Sequence, residues 1–169
     1  YKRQLFFQRP RPLVPRRYRY EVDERTGSSG EQIQPLRIKD LIKVIDDIQG
    51  EQVQSVAVGL INSYLNPEHE HQVERALKER NPGISVSTSC EISPEYREYE
   101  RISTAVVNAV LLPIVQAYLT SLLTALKGLR VETPFYLMQS NGGLSKAEDA
   151  VSKPASIVEC GPASGVVAS

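Results

Sequence analysis

The chain has 169 residues, with 20 basic and 20 acidic side chains, 41% hydrophobic and 24% charged. A chain of this size buries a core without disulfide or metal staples, as one domain or as one large and one small lobe. A formal net charge of zero gives no global pull toward nucleic acid or a membrane surface, no stretch reads as a signal peptide or as an apolar run of spanning length, and the two distant cysteines, Cys90 and Cys160, form no disulfide framework and fit a reducing, cytoplasmic setting.

Residues 1–20 carry Lys2, Arg3, Arg9, Arg11, Arg16, Arg17 and Arg19, no acidic residue, and interleaved aromatics. Pro10, Pro12 and Pro15 favour an extended linker, and acidic residues follow at once, so the reading is a solvated segment and no nucleic-acid partner. Residues 16–22 alternate basic with apolar or aromatic positions, which predicts a strand. A turn at 26–30 predicts a return strand over 32–36, kept at an edge by Pro35.

Residues 38–48 carry one apolar stripe and predict a helix. Residues 53–61 are almost unbroken Val, Ile and small residues, the pattern of a buried central strand. Asn66, Pro67, Glu68 and Glu70 then form a helix start with a cap, a first-turn proline and acidic residues against the dipole. That helix runs to about Arg80, and 84–90 reads as another strand, completing an α/β unit. His69 and His71 are two apart on the helix, so they share no face; both read as solvated, and no metal site is expected.

Ser93-Pro94-Glu95 predicts the next helix start. Its first turns carry the charged cluster Arg97, Glu98 and Arg101, with i,i+3 pairs that support the helix weakly. From Ile102 the helix turns apolar, Pro113 is expected to interrupt or kink it, and it resumes over 114–126. In the last third, two segments share one grammar. An apolar run at Phe135–Met138 leads into Ser140-Asn141-Gly142-Gly143, and Ile157-Val158 leads into Cys160-Gly161-Pro162-Ala163-Ser164-Gly165. Each reads as a strand ending in a small-residue turn before a helix, where a ligand can approach backbone N–H groups. Neither matches a phosphate-loop or G-x-G-x-x-G pattern.

The stretches NSYLNPEHE (62–70), SPEYREYERISTAVVNA (93–109), MQSNGG (138–143), CGPASGV (160–166) and RPRPLVPRRYRYEV (9–22) together resemble the hydantoinase A / 5-oxoprolinase family. The resemblance implies an α/β chain that is part of an actin-like ATPase (ribonuclease-H-like) fold, a mixed sheet with flanking helices. It implies that 1–92 ends an N-terminal lobe and that 93–169 begins a main domain. The activity implied is MgATP-dependent opening of a cyclic amide such as hydantoin, N-methylhydantoin or 5-oxoproline, through phosphorylation of the amide carbonyl. Related proteins include acetone and acetophenone carboxylases, so a carboxylase is the alternative activity and a non-catalytic binding module the third. A hydantoinase B-type partner subunit or domain is implied as well.

By the same resemblance, Ser140, Asn141, Gly142 and Gly143 match one cleft loop, and Gly161, Pro162, Ala163 and Gly165 match a second. Arg97, Glu98 and Arg101 match a charged helix start, read as a polar cluster aimed into the cleft. Cys160 stands where Ser is usual and Ser164 where Gly or Ala is usual; Cys160 has no base in its motif and reads as a small filler. The family's Asp-Gly-Gly-Thr phosphate loops do not occur in these residues. The chain therefore reads as an internal piece of a longer protein, expected neither to bind MgATP tightly nor to hydrolyse it alone.

Overall fold

A computed structural model describes residues 10–131 and 133–169. Residues 1–9, with the expected basic arm's Lys2, Arg3 and Arg9, lie outside the described residues. The elements run β1 (Arg25–Thr26), β2 (Gln32–Gln34), α1 (Ile38–Gly50), β3 (Ser55–Val58), α2 (Glu68–Arg80), β4 (Ser85–Thr88), α3 (Ser89–Ile92), α4 (Glu98–Gly128), β5 (Tyr136–Met138), β6 (Leu144–Lys146), α5 (Ala147–Ser152) and α6 (Cys160–Val167).

The expected α/β unit is present. β3 and β4 pair in parallel, Ser55 to Val58 against Ser85 to Thr88, with α2 as the crossover. One face of the pair packs on α1 and α2 through Leu41, Ile45, Ile48, Val73 and Leu77 with Val58 and Ile84. The other face carries α4, whose buried residues Arg101, Ala105, Asn108, Leu112 and Leu119 repeat at helical spacing. Small residues let α4 approach closely. At Gly59, just past β3, an added Cβ would lie 2.6 Å from Ile102 Cγ1, so any larger residue would have to displace the Ile102 side chain.

The sheet is smaller than expected. Among the described residues, three separate two-stranded pairs form: antiparallel β1–β2, parallel β3–β4 and antiparallel β5–β6. No strand forms over 16–22; Arg16–Tyr18 is one 3₁₀ turn, and the strand that pairs with β2 is at Arg25–Thr26. Ser93 to Arg97 is a loop, and α4 begins at Glu98. Pro113 does not end the helix, which continues through it to Gly128. Ile102 to Leu126 carries no charged residue, so α4 is long and apolar enough by length and composition to cross a membrane, contrary to the expectation of no such run; 22% of its most apolar window is buried. The fully buried Arg101 and Asn108 bind this helix to the sheet layer.

Candidate functional site

Ligands of open parallel sheets sit beyond the carboxyl ends of the strands. Here those ends lead into the loop 59–67 after β3 and into α3 and the loop 93–97 after β4. A buried polar network ties the two together. Glu70 is fully buried on α2. Its Oε1 accepts Leu60 N–H at 2.8 Å and the Ser89 hydroxyl at 2.6 Å, and its Oε2 accepts Cys90 N–H at 2.9 Å. Ser89 Oγ in turn accepts Arg101 Nε at 3.0 Å. Arg101 also donates to Leu60 O at 2.7 Å and Glu95 O at 3.2 Å. Its guanidinium lies 5.5 Å from the centre of the Tyr64 ring, which meets Tyr96 edge-on. A carboxylate and a guanidinium buried this way are paired through a shared hydroxyl, so neither charge is left bare.

Arg97, Glu98 and Arg101 do not form one cleft-facing cluster. Arg101 is fully buried, whereas Arg97 is 72% exposed with φ of 98°. That left-handed backbone, strained for any residue with a Cβ, breaks the chain direction just before α4. The i,i+3 contacts Arg97–Glu100 and Glu98–Arg101 are both present at 3.7 Å. The network's other members, Glu70 and Ser89, are not apparent from composition. Glu70 reads as a dipole-complementing surface residue, yet Glu70, Val73 and Leu77 share one helical face, and that spacing marks it as inward-pointing.

His69 is also buried rather than solvated. Its Nδ1 lies 2.6 Å from Glu24 Oε2 and its Nε2 2.7 Å from Gln32 Nε2. With Asn62 Nδ2 donating to Thr26 O and Asn66 Nδ2 to Gly30 O, this fastens the β1–β2 hairpin to the loop after β3. No group of three metal-ligating side chains occurs among the described residues.

Cys90 and Cys160 are both free. Burial, with Glu70 beside it, pushes the Cys90 thiol up from 9.0 to about 12, even though His71 Nε2 lies 3.8 Å from its sulfur. It is therefore no nucleophile at neutral pH. Iodoacetamide at pH 8 should label Cys90 about 1000-fold more slowly in the folded chain than in the urea-unfolded chain, from the three-unit loss of thiolate. Because the thiol ionises near 9.0 unfolded and about 12 folded, its contribution to stability is full below pH 9 and fades as pH rises toward 12. Equal labelling rates would show that α3 is open in solution.

The two small-residue segments meet, but not as strand-to-helix loops. β5 and β6 form a hairpin, and Ser140-Asn141-Gly142-Gly143 is its turn. Gly142 N–H donates to Gln139 O and Gln139 N–H to Gly143 O, with Gly142 at φ of 84°, the turn-plus-bulge pattern of a short hairpin loop. Asn141 Oδ1 accepts Gly143 N–H at 2.9 Å. No strand forms at Ile157-Val158 either. Pro154–Ile157 is a 3₁₀ turn, and Gly161, Pro162, Ala163 and Gly165 lie inside α6. Pro162 fits there because the first-turn N–H groups have no helical acceptor to lose.

Ser140 joins the two. Its N–H donates to Ser156 O at 2.7 Å, and its Oγ accepts Glu159 N–H, just ahead of α6, at 3.0 Å. Cys160 and Gly161 open the first turn of α6, where backbone N–H groups have no acceptor within the helix. Donors at a helix start beside a hydroxyl are of the kind that suits an anionic group. The hairpin turn offers little more, since the N–H groups of Ser140, Gly142 and Gly143 are already engaged. The described residues supply no group of three ligands for a magnesium ion here.

The architecture is that of an α/β segment of an actin-like ATPase: its shape matches the nucleotide-free structure of ATP-dependent acetone carboxylase with a TM-score of 0.86 at 26% identity, over 95% of this chain and 23% of that one. It also matches the crystal structure of ATP-dependent caprolactamase from Pseudomonas jessenii with a TM-score of 0.79 at 32% identity, over 90% of this chain and 23% of that one. The hydantoinase/oxoprolinase N-terminal region family model matches residues 1–81, and the hydantoinase/oxoprolinase model matches residues 101–169. The chain belongs to the hydantoinase/oxoprolinase family. Among relatives, it is 43% identical to an uncharacterized protein of Methanocaldococcus jannaschii over 97% of this chain and 24% of that protein. It is 34% identical to caprolactamase subunit alpha of Pseudomonas jessenii over 90% of this chain and 22% of that subunit. Against 5-oxoprolinase of Saccharomyces cerevisiae, identity is 30% over 83% of this chain and 11% of that protein. The chain thus spans a quarter or less of these relatives.

Proposed function

We propose that this chain is a segment of an ATP-dependent enzyme that opens a cyclic amide. The observation that supports this reading is that identity is higher to caprolactamase subunit alpha and 5-oxoprolinase, 34% and 30%, than to the acetophenone and acetone carboxylase subunits, 28% each. Hydantoin, N-methylhydantoin and 5-oxoproline are the substrates to try first. Bound MgATP would supply the phosphoryl group that makes the amide carbonyl an electrophile with a good leaving group. In this chain, the Ser140 hydroxyl and the Cys160 and Gly161 N–H groups are the donors proposed to steady a terminal phosphate. Asn141, Gly142 and Gly143 shape the turn that presents Ser140, and Pro162, Ala163 and Gly165 build the helix behind those donors. Magnesium ligands and the other phosphate contacts are assigned to residues outside this chain. Arg101 and Glu70 hold the loops after β3 and β4 together, and Arg97 stands exposed on that rim.

The carboxylase alternative draws on the higher TM-score. The relatives include proteins named as subunits, which supports a partner subunit, and the hydantoinase B type is the one proposed. The test is ADP release by the longer enzyme containing this segment. Release that depends on a cyclic amide and not on bicarbonate is the expected result. Release that requires bicarbonate and a ketone assigns the carboxylase activity instead. The 169-residue chain alone should release no ADP under either condition.

A further inference from the structure

Asn108 is fully buried on α4, among the apolar Ala105, Ala109 and Leu112 of the helix's buried stripe. An amide placed there costs stability unless its bonds are made, and they are made to three separate elements. Nδ2 donates to Ser87 Oγ of β4 at 2.8 Å and to Ser152 O at the end of α5 at 3.3 Å. Oδ1 accepts Ala155 N–H, in the 3₁₀ turn before α6, at 3.0 Å. The next residue, Ser156, accepts the Ser140 N–H, and Ser140 Oγ accepts the Glu159 N–H. A line of hydrogen bonds, joined by the short backbone step from Ala155 to Ser156, therefore runs from β4 through Asn108 to the hairpin turn and the start of α6.

We propose that Asn108 is a positioning residue that sets the Ser140 hydroxyl and the first N–H groups of α6 relative to the carboxyl end of β4. It touches no substrate and acts through the backbone of Ala155 and Ser156, which carries the line on to Ser140. Its effect on nucleotide binding rests on the reading of the Ser140–α6 junction as a phosphate contact; the positioning itself does not.

Hydrogen exchange on the longer protein that contains this chain tests the positioning directly. In Asn108→Ala the Ser140 and Glu159 amides should exchange about tenfold faster or more, while Val73 and Leu77 on α2 keep their protection. Ser87→Ala, which cuts only the β4 end of the line, should speed the same two amides by a smaller factor, and it serves if Asn108→Ala does not fold. Unchanged exchange at Ser140 and Glu159, or equal acceleration throughout the chain, overturns the proposal. In the same enzyme, Asn108→Ala should raise KM for MgATP about tenfold with KM for the amide unchanged. Faster exchange at Ser140 with KM for MgATP unchanged supports the positioning and overturns the phosphate reading of the junction.

Discussion

Arg101→Ala should destabilise the chain by about 3–5 kcal/mol, the cost of removing one partner from a buried charged network. The loss has several parts. Glu70 keeps its three donors but loses the nearby cation, and the Leu60 and Glu95 carbonyls lose a donor. Arg101→Lys should not restore stability, because one ammonium cannot reproduce the planar fork that reaches Ser89, Leu60 and Glu95 together. Adding Glu70→Gln to Arg101→Ala should cost less than the sum of the two single changes, since the carboxylate charge is then gone. Urea unfolding of these variants measures this. Strict additivity would show that the two charges are independent despite their common hydroxyl.

Leu41→Ala should cost about 2–5 kcal/mol, with a fall in Tm of roughly 5–15 °C for a chain of this size. Leu41 is 1% exposed and sits in the cluster that joins α1 to α2 and to the strands. Truncation leaves a void that its closely packed neighbours cannot fully close. Ile38→Ala on the same helix is the control, since Ile38 is exposed and should change Tm little. A small effect at Leu41 would place the core elsewhere than between α1 and α2.

The α/β unit was legible because its signals agree: a stripe over 38–48, an unbroken apolar run at 53–61 and a capped helix start at Asn66 all point to one arrangement. The 16–22 alternation misleads because a segment that follows Pro10, Pro12 and Pro15 keeps a strand pattern without a strand to pair with. The last third misleads for a related reason. A short apolar run before glycine is compatible with a hairpin strand or a 3₁₀ turn as well as a parallel strand, and only the pairing partner decides. Leu144–Lys146, just beyond the turn that follows Met138, supplies that partner locally. The meeting of Ser140 with α6 follows from side-chain hydrogen bonds that no periodicity reports. His69, Glu70 and Asn108 were hidden because polar residues read as surface until a tertiary partner removes them from water.

The β3–α2–β4 unit also sets an order of assembly. Its paired strands are close in sequence, Ser55 against Ser85, so the pairing closes a short loop, whereas Asn108 reaches Ser152 and Ala155 across sequence separations of 44 and 47. The N-terminal part is synthesised first and holds the main apolar cluster. The hairpin, α5 and α6 are then expected to dock onto an α4 surface that is already fixed. Partial unfolding should follow the reverse sequence, releasing Ser140 and α6 while the parallel pair still stands.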